Sequence, residues 1–400
     1  MASIAAPFPA AETSWRTCRF SGLRVEANAE KLIKVNAIAA VLFLALGGLM
    51  GLLVALTRWP AVQLLPADWF YLVLTGHGAN VLLFWIIFFE IAVLYFASAV
   101  ILGARLAAPK FAWAGFILMV VGAVMANYAV LRGDSSVMFT SYPPMMASQW
   151  FYLSLIIFAV GALIAVFVFF GTLVVAKAEK TYNGSVPLVT FGAITAGIIA
   201  VFTLASGAII LIPTWLWSIG LINNIDTLMY KVIWWGMGHS SQQINVSAHV
   251  SIWYAIAAMV LGAKPLSEKV SRMAFFMYIL FLQLASAHHI LAEPGMSSAW
   301  KIVNTSYMMY LAVMGSMIHG LTVPGAVEAA QRRNGFTRGA FEWLTKAPWG
   351  NPAFAGMFMS LVMFGFIGGI SGVVLGTEQL NVLMHNTIYV PGHFHGTVVA

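Results

Sequence analysis

Nine histidines stand out in a chain with few other groups able to do chemistry: His77, His239, His249, His288, His289, His319, His385, His393 and His395. All fall within or at the ends of long apolar runs, where an ionisable side chain is costly and marks a function by default. The single cysteine, Cys18, leaves no intrachain disulfide, no thiolate cluster and no Cys-x-x-Cys-His haem attachment. Metal chemistry here must rest on histidine and carboxylate.

Spacing assigns the geometry. His288 and His289 are neighbours, about 100° apart on a helix, and both can turn toward one ion. His239 from another helix would complete three nitrogen ligands, and an all-imidazole site with an open position suits copper, iron or zinc. His393 and His395 in His-Phe-His differ by about 200°, so one helix can serve two metal centres. His77 remains as a second axial ligand for whichever centre one of that pair holds. Two axial imidazoles make a closed, electron-transferring haem, and one leaves an open, gas-binding haem.

The elements that must position these residues are membrane helices. Of 400 residues 61% are hydrophobic and only 8% charged, with a mean hydropathy of +0.89, which excludes a soluble globular protein. The net charge of +7 comes from basic residues scattered in small clusters, with no continuous stripe for nucleic acid. Ten apolar runs, roughly 35–57, 69–102, 111–131, 149–176, 187–213, 227–262, 272–292, 300–327, 352–375 and 379–400, predict an all-α polytopic membrane protein with about ten transmembrane helices. Residues 1–34 read as a polar tail and 35–400 as one membrane domain. A cytoplasmic N-terminus puts 16 of the 20 Lys and Arg on the cytoplasmic side, the bias expected of a multi-pass protein of a cell (inner) membrane. In that topology His77, His239, His288, His289, His393 and His395 overlap in the outer half of the bilayer. The chain stops five residues after the last histidine, which reads as a fragment.

The motifs around these histidines resemble catalytic subunit I of the haem–copper oxidase superfamily, nearer its divergent B-type branch. They are Leu74-Thr75-Gly76-His77-Gly78, Trp234-Trp235-Gly236-Met237-Gly238-His239, Ala287-His288-His289 followed by Glu293-Pro294-Gly295, and Tyr389-Val390-Pro391-Gly392-His393-Phe394-His395. They fall in family order on the second, sixth, seventh and tenth runs, so the resemblance covers nearly the whole chain. It implies His77 and His395 as axial ligands of a low-spin haem, His393 as axial ligand of a high-spin haem, and His239, His288 and His289 around a second metal. The family has twelve spans, so two are expected beyond Ala400. With no CuA cysteines and no covalent haem c motif, the chain needs an electron-donor subunit with a copper or haem domain, fed by cytochrome c or a similar donor.

One departure from the oxidases reaches the chemistry. Oxygen-reducing members carry a tyrosine four residues after the first second-metal histidine, cross-linked to it; here that position is Gln243, one turn from His239, with Asn245 just beyond. A phenol can supply an electron and a proton when the O–O bond breaks, and an amide can supply neither. Two-electron reduction of NO to N2O needs no such donor, so the resemblance predicts NO reduction ahead of oxygen reduction. The second metal is then copper or non-haem iron. Tyr230, Tyr254, Tyr278, Tyr307 and Tyr310 on neighbouring spans are candidates for a substitute phenol, which would restore the oxidase reading. Glu90, lower in the second run, reads as a proton relay or an inner-interface residue, and His385 resembles the position near the high-spin haem propionates. His249 and His319 have no family match and read as packing residues.

Overall fold

A computed structural model describes residues 14–19, 21–282 and 284–400. A short hairpin, β1 (Trp15–Thr17) and β2 (Arg24–Glu26), comes first. Twelve α-helices follow among the described residues: α1 (Ala27–Arg58), α2 (Ala67–Val100), α3 (Pro109–Leu131), α4 (Gln149–Ala178), α5 (Leu188–Ser218), α6 (Thr227–Leu261), α7 (Glu268–Met277), α8 (Ser298–Arg333), α9 (Glu342–Thr345), α10 (Pro352–Gly376), α11 (Glu378–Met384) and α12 (Tyr389–Val399). Short π-turns interrupt α2, α8 and α10.

Eight of these are long and apolar enough to cross a membrane, against the ten expected. Among the described residues, which leave out 283 in the seventh run, the seventh and tenth runs account for the difference. After α7 the chain passes through a π-turn, Tyr278–Leu282, and then a tight 3-10 turn, Ser286–Ile290, before Pro294 and left-handed Gly295 forbid continuation. The last run is split between α11 and α12 at Asn386, which is itself left-handed at φ 58°. The first helix, conversely, starts earlier than its apolar run. The Glu26 side chain accepts from the backbone N–H groups of Asn28 and Ala29, and Glu30 pairs with Lys34 one turn on and with Arg16 of the hairpin.

The chain divides into two compact units. The first comprises the described residues up to Val186 with Ala200–Met237; the second comprises Pro187–Ile199 with Gly238–Ala400. Within the first, small residues let backbones touch where there is no hydrophobic drive between helices. A Cβ on Gly115 would meet the Gly161 carbonyl at 2.8 Å, and one on Gly122 the Ser154 carbonyl at 2.6 Å, which is how α3 and α4 pack so closely. The other faces are apolar and open: Ile38, Leu42 and Leu49 of α1 are each about 60% or more exposed, a surface for lipid.

A reciprocal amide pair ties α2 to α3 in the same unit. Asn80 Nδ2 donates to Asn127 Oδ1 at 2.7 Å and Asn127 Nδ2 returns a bond to Asn80 Oδ1 at 3.0 Å. Both residues are buried. Asn127→Leu is expected to destabilise the protein by about 1–3 kcal/mol, because it strands the Asn80 amide. The Asn80→Leu/Asn127→Leu double variant should cost less than the two singles together. Unfolding in mixed detergent micelles, arranged as a double-mutant cycle, checks both.

Candidate metal centre

In the second unit, α6 presents His239 and the 3-10 turn presents His288 and His289. Neighbours on such a turn are about 120° apart, yet the two side chains fold back toward each other and bring their ring centroids to 4.2 Å. His239 stands edge-on to His288 at 4.5 Å and tilted to His289 at 5.1 Å. One nitrogen from each ring falls within 4.8 Å of the others, and His239 Nδ1 is 3.0 Å from His289 Nε2. Two nitrogens bound at about 2.0–2.1 Å to a single ion lie about 3–3.5 Å apart, so this pair already has a metal's spacing. His288 Nδ1 is buried with no hydrogen-bond partner among the described residues. Three imidazoles and an orphaned buried nitrogen fit a copper, iron or zinc ion with an open fourth position.

Gln243 lies on the other side of His239, its Nε2 3.5 Å from the ring's Nε2. An amide turned end for end would receive the Nε2–H instead, so the contact suits a His239 that ligates through Nδ1. Asn245 has a buried Oδ1 with no partner among the described residues.

Three further histidines each have a fixed tautomer or a fixed place. In the first unit His77 Nδ1 lies 2.8 Å from the Gly47 carbonyl, and in the second His395 Nδ1 lies 2.7 Å from the Pro391 carbonyl. A carbonyl only accepts, so Nδ1 carries the proton and Nε2 presents its lone pair, the form a metal needs. His393 Nδ1 meets Ser371 Oγ at 2.9 Å. Its ring lies against α10 at Gly372, where a Cβ would come 3.0 Å from Cε1, while His395 faces outward on the opposite side of α12. The two-sided helix expected from His-Phe-His is therefore present.

Residues 31–400 match the family described as Cytochrome C and Quinol oxidase polypeptide I. The chain is a member of that family. As such it is a multi-pass membrane protein, and the family implies haems and a binuclear metal site. Cytochrome c oxidase subunit 1 of Thermus thermophilus is 30% identical over 344 residues, 83% of this chain and 59% of the relative. Ubiquinol oxidase subunit 1 of Acetobacter aceti is 24% identical over 362 residues, 84% of this chain and 50% of the relative. A solved structure, described as the cryo-EM structure of a heme-copper terminal oxidase dimer, superposes with a TM-score of 0.86 at 26% identity, covering 94% of this chain and 66% of that one. The chain thus spans between half and two thirds of the length of these relatives. All three are named oxidases, against the expectation of a nitric oxide reductase branch.

For an oxidase polypeptide I, the remaining site residues divide clearly. Glu90 is buried in the first unit, and its Oε1 has no partner among the described residues. His385 caps the end of α11, its backbone N–H on the Asn381 carbonyl at 2.7 Å. Of the candidate substitute tyrosines, Tyr230 donates to the Thr140 carbonyl, Tyr278 bonds Ser316, and Tyr307 and Tyr310 are largely exposed. His249 packs with Trp253, and both rings meet Ser360 Oγ.

His319 does more than pack. Its Nδ1 is 3.0 Å from the Tyr254 hydroxyl, which also meets Ser271 Oγ at 3.0 Å and Thr322 Oγ1 at 2.8 Å. Gln243, Ser247, Ser251 and Tyr254 recur at three and four residues, making one polar stripe down α6 that starts beside the triad. Ser247 Oγ is buried without a partner among the described residues. Tyr254 also walls a cavity of about 230 Å³ whose lining includes Lys264 and Glu268. The serine spacing was legible in the sequence; only the cross-helix partners of Tyr254 give it meaning.

Proposed function

We propose that this chain is the catalytic subunit of a haem- and metal-dependent terminal oxidase that reduces dioxygen to water. The observation that carries the reading is the His239, His288 and His289 triad, one nitrogen of each ring within 4.8 Å of the others, with His393 in the same compact unit. His239, His288 and His289 would hold a copper or non-haem iron ion, His393 a high-spin haem, and His77 and His395 would each offer one axial nitrogen to a low-spin haem. When bound, these groups store electrons and bind the gas. The chain's own residues fix ligand tautomers, exclude water and supply protons. Gln243 borders the triad, Asn245 would take part from farther along α6, and the stripe from Ser247 to the Tyr254 and His319 cluster is a path for protons from the cavity beside Lys264. Glu90 and His385 would exchange protons elsewhere. A partner subunit with a copper or haem domain would pass in electrons from cytochrome c or a similar donor. The N-terminus would face the cytoplasm, as the basic residues favour.

Gln243 supports a second reading, reduction of NO to N2O. Four-electron cleavage of dioxygen gains from a phenol that gives up an electron and a proton beside the metal, and joining two NO molecules takes only two electrons.

Gas turnover by the purified membrane complex with a reduced cytochrome c donor decides between them, with O2, NO and N2O recorded together. Fast O2 uptake without N2O is the expected result. N2O production with little O2 uptake would transfer the assignment to NO, and a complex holding no haem would overturn both.

A further inference from the structure

We infer that Ser371 is a positioning residue that fixes the His393 ring and sets how strongly its Nε2 donates to a bound iron. The inference rests on the reading of His393 as a haem ligand and goes beyond it. Ser371 sits on α10 just after the π-turn Phe364–Gly369, and its hydroxyl donates to the Ile367 carbonyl one turn back. A second backbone acceptor, the Gly368 carbonyl, is 3.2 Å from the same oxygen and also faces the His393 ring.

A serine hydroxyl has one proton, and here it is spent on backbone carbonyls. What Ser371 Oγ offers His393 at 2.9 Å is therefore a lone pair, so Nδ1 is the protonated ring nitrogen and Nε2 keeps the lone pair that a metal would take. A hydroxyl bonding back to its own helix is common in membrane helices, and that bond alone would be structural. The contact across to α12 is different. It coincides with Gly372, where any side chain would come 3.0 Å from the ring. One helix surface thus supplies both the flat seat for the ring and the acceptor for its N–H.

The partner of a ligating histidine's second nitrogen sets that ligand's basicity. A carboxylate at this place would draw the Nδ1 proton and strengthen donation through Nε2. A neutral hydroxyl, sharing the proton with a backbone carbonyl, keeps donation moderate. Ser371 is in that sense a determinant of how tightly the site holds a diatomic gas.

The test uses the purified membrane complex, reduced with dithionite, and resonance Raman spectra of the iron–histidine stretch of the high-spin haem. Ser371→Ala is expected to lower that frequency, Ser371→Asp to raise it, and Ser371→Thr to leave it at the wild-type value. The CO dissociation rate should change on the order of 10-fold in the Ala and Asp variants and stay put in Thr. Equal frequencies in wild type, Ala and Asp would overturn the inference while leaving the haem assignment intact. Should the Ala variant lose its haem, the Thr and Asp pair decides: a frequency that is the same in both overturns it. A wild-type complex with no high-spin haem would instead sink the reading on which it rests.

Discussion

His289→Ala is expected to empty the second metal position while both haems stay bound, and to lower gas turnover by at least about 100-fold. The His289 ring packs against both others, its centroid 4.2 Å from that of His288 and 5.1 Å from that of His239. It also provides the nitrogen 3.0 Å from His239 Nδ1. Removing it leaves two imidazoles with nothing to hold their spacing, and a two-ligand site cannot close the coordination that a copper, iron or zinc ion needs. Fold stability should change little by comparison. The 3-10 turn is held by backbone bonds such as that from the His288 N–H to the Ala285 carbonyl, which alanine keeps. Metal analysis per chain, beside a pyridine haemochrome assay on the same sample, checks the expectation. Retention of the metal with unchanged turnover would show that the triad is a packing cluster. Gln243→Leu is a useful companion, because it removes the neighbour of His239 Nε2 without touching a ligand.

How much of this was legible in the sequence depends on whether a feature is carried along one element or between two. The histidine pairing at 288 and 289 and the opposite faces of 393 and 395 are set by local helical geometry, and both are present. Helix count was less secure. Hydropathy counts apolar residues and is blind to backbone type, so it joined α7 to the 3-10 turn and α11 to α12. It also read Glu30 and Lys34 as outside the membrane helix, although their i, i+4 pairing lengthens it. The cradle of each ligand was illegible for a different reason. Gly47, Gly51, Ser371 and Gly372 are ordinary small residues of membrane helices, and only the approach of a second helix gives them a role. The same holds for His319, which had no motif and acquires a use from Tyr254 across the helix boundary. Substrate choice rests on one side chain, Gln243, read against relatives that the family resemblance alone could rank only by that residue.

Gly51 gives the sharper test of the low-spin site, because two glycines three residues apart on α1 should behave in opposite ways. A Cβ on Gly51 would lie 2.7 Å from His77 Cε1 and 2.9 Å from Nδ1, whereas one on Gly48 meets nothing within 4 Å. Alanine gains about 1 kcal/mol over glycine in a helix from propensity alone. At position 48 that gain stands unopposed, and Gly48→Ala should be neutral to slightly stabilising with both haems retained. At position 51 the added methyl must displace an imidazole tied through Nδ1 to the Gly47 carbonyl. The ring's own helix cannot retreat easily either. It is seated against α1, where a Cβ on Gly76 would come 2.6 Å from Met50 Sδ and one on Gly47 would come 2.6 Å from Val81 Cγ1 and 3.4 Å from the Val81 backbone nitrogen. Overpacking of this kind costs about 1–3 kcal/mol, which exceeds the propensity gain, and its cheapest relief is rotation of His77 out of ligating position. Gly51→Val should therefore lose the low-spin haem band from the reduced-minus-oxidised spectrum, with haem per chain falling toward half. The CO-binding spectrum of the high-spin haem, whose proposed ligand His393 belongs to the other unit, should persist. Gly51→Ala should fall between. Turnover with a cytochrome c donor should then collapse while CO binding survives, separating the entry of electrons from the binding of gas. A low-spin band unchanged in Gly51→Val would mean that His77 does not ligate that haem.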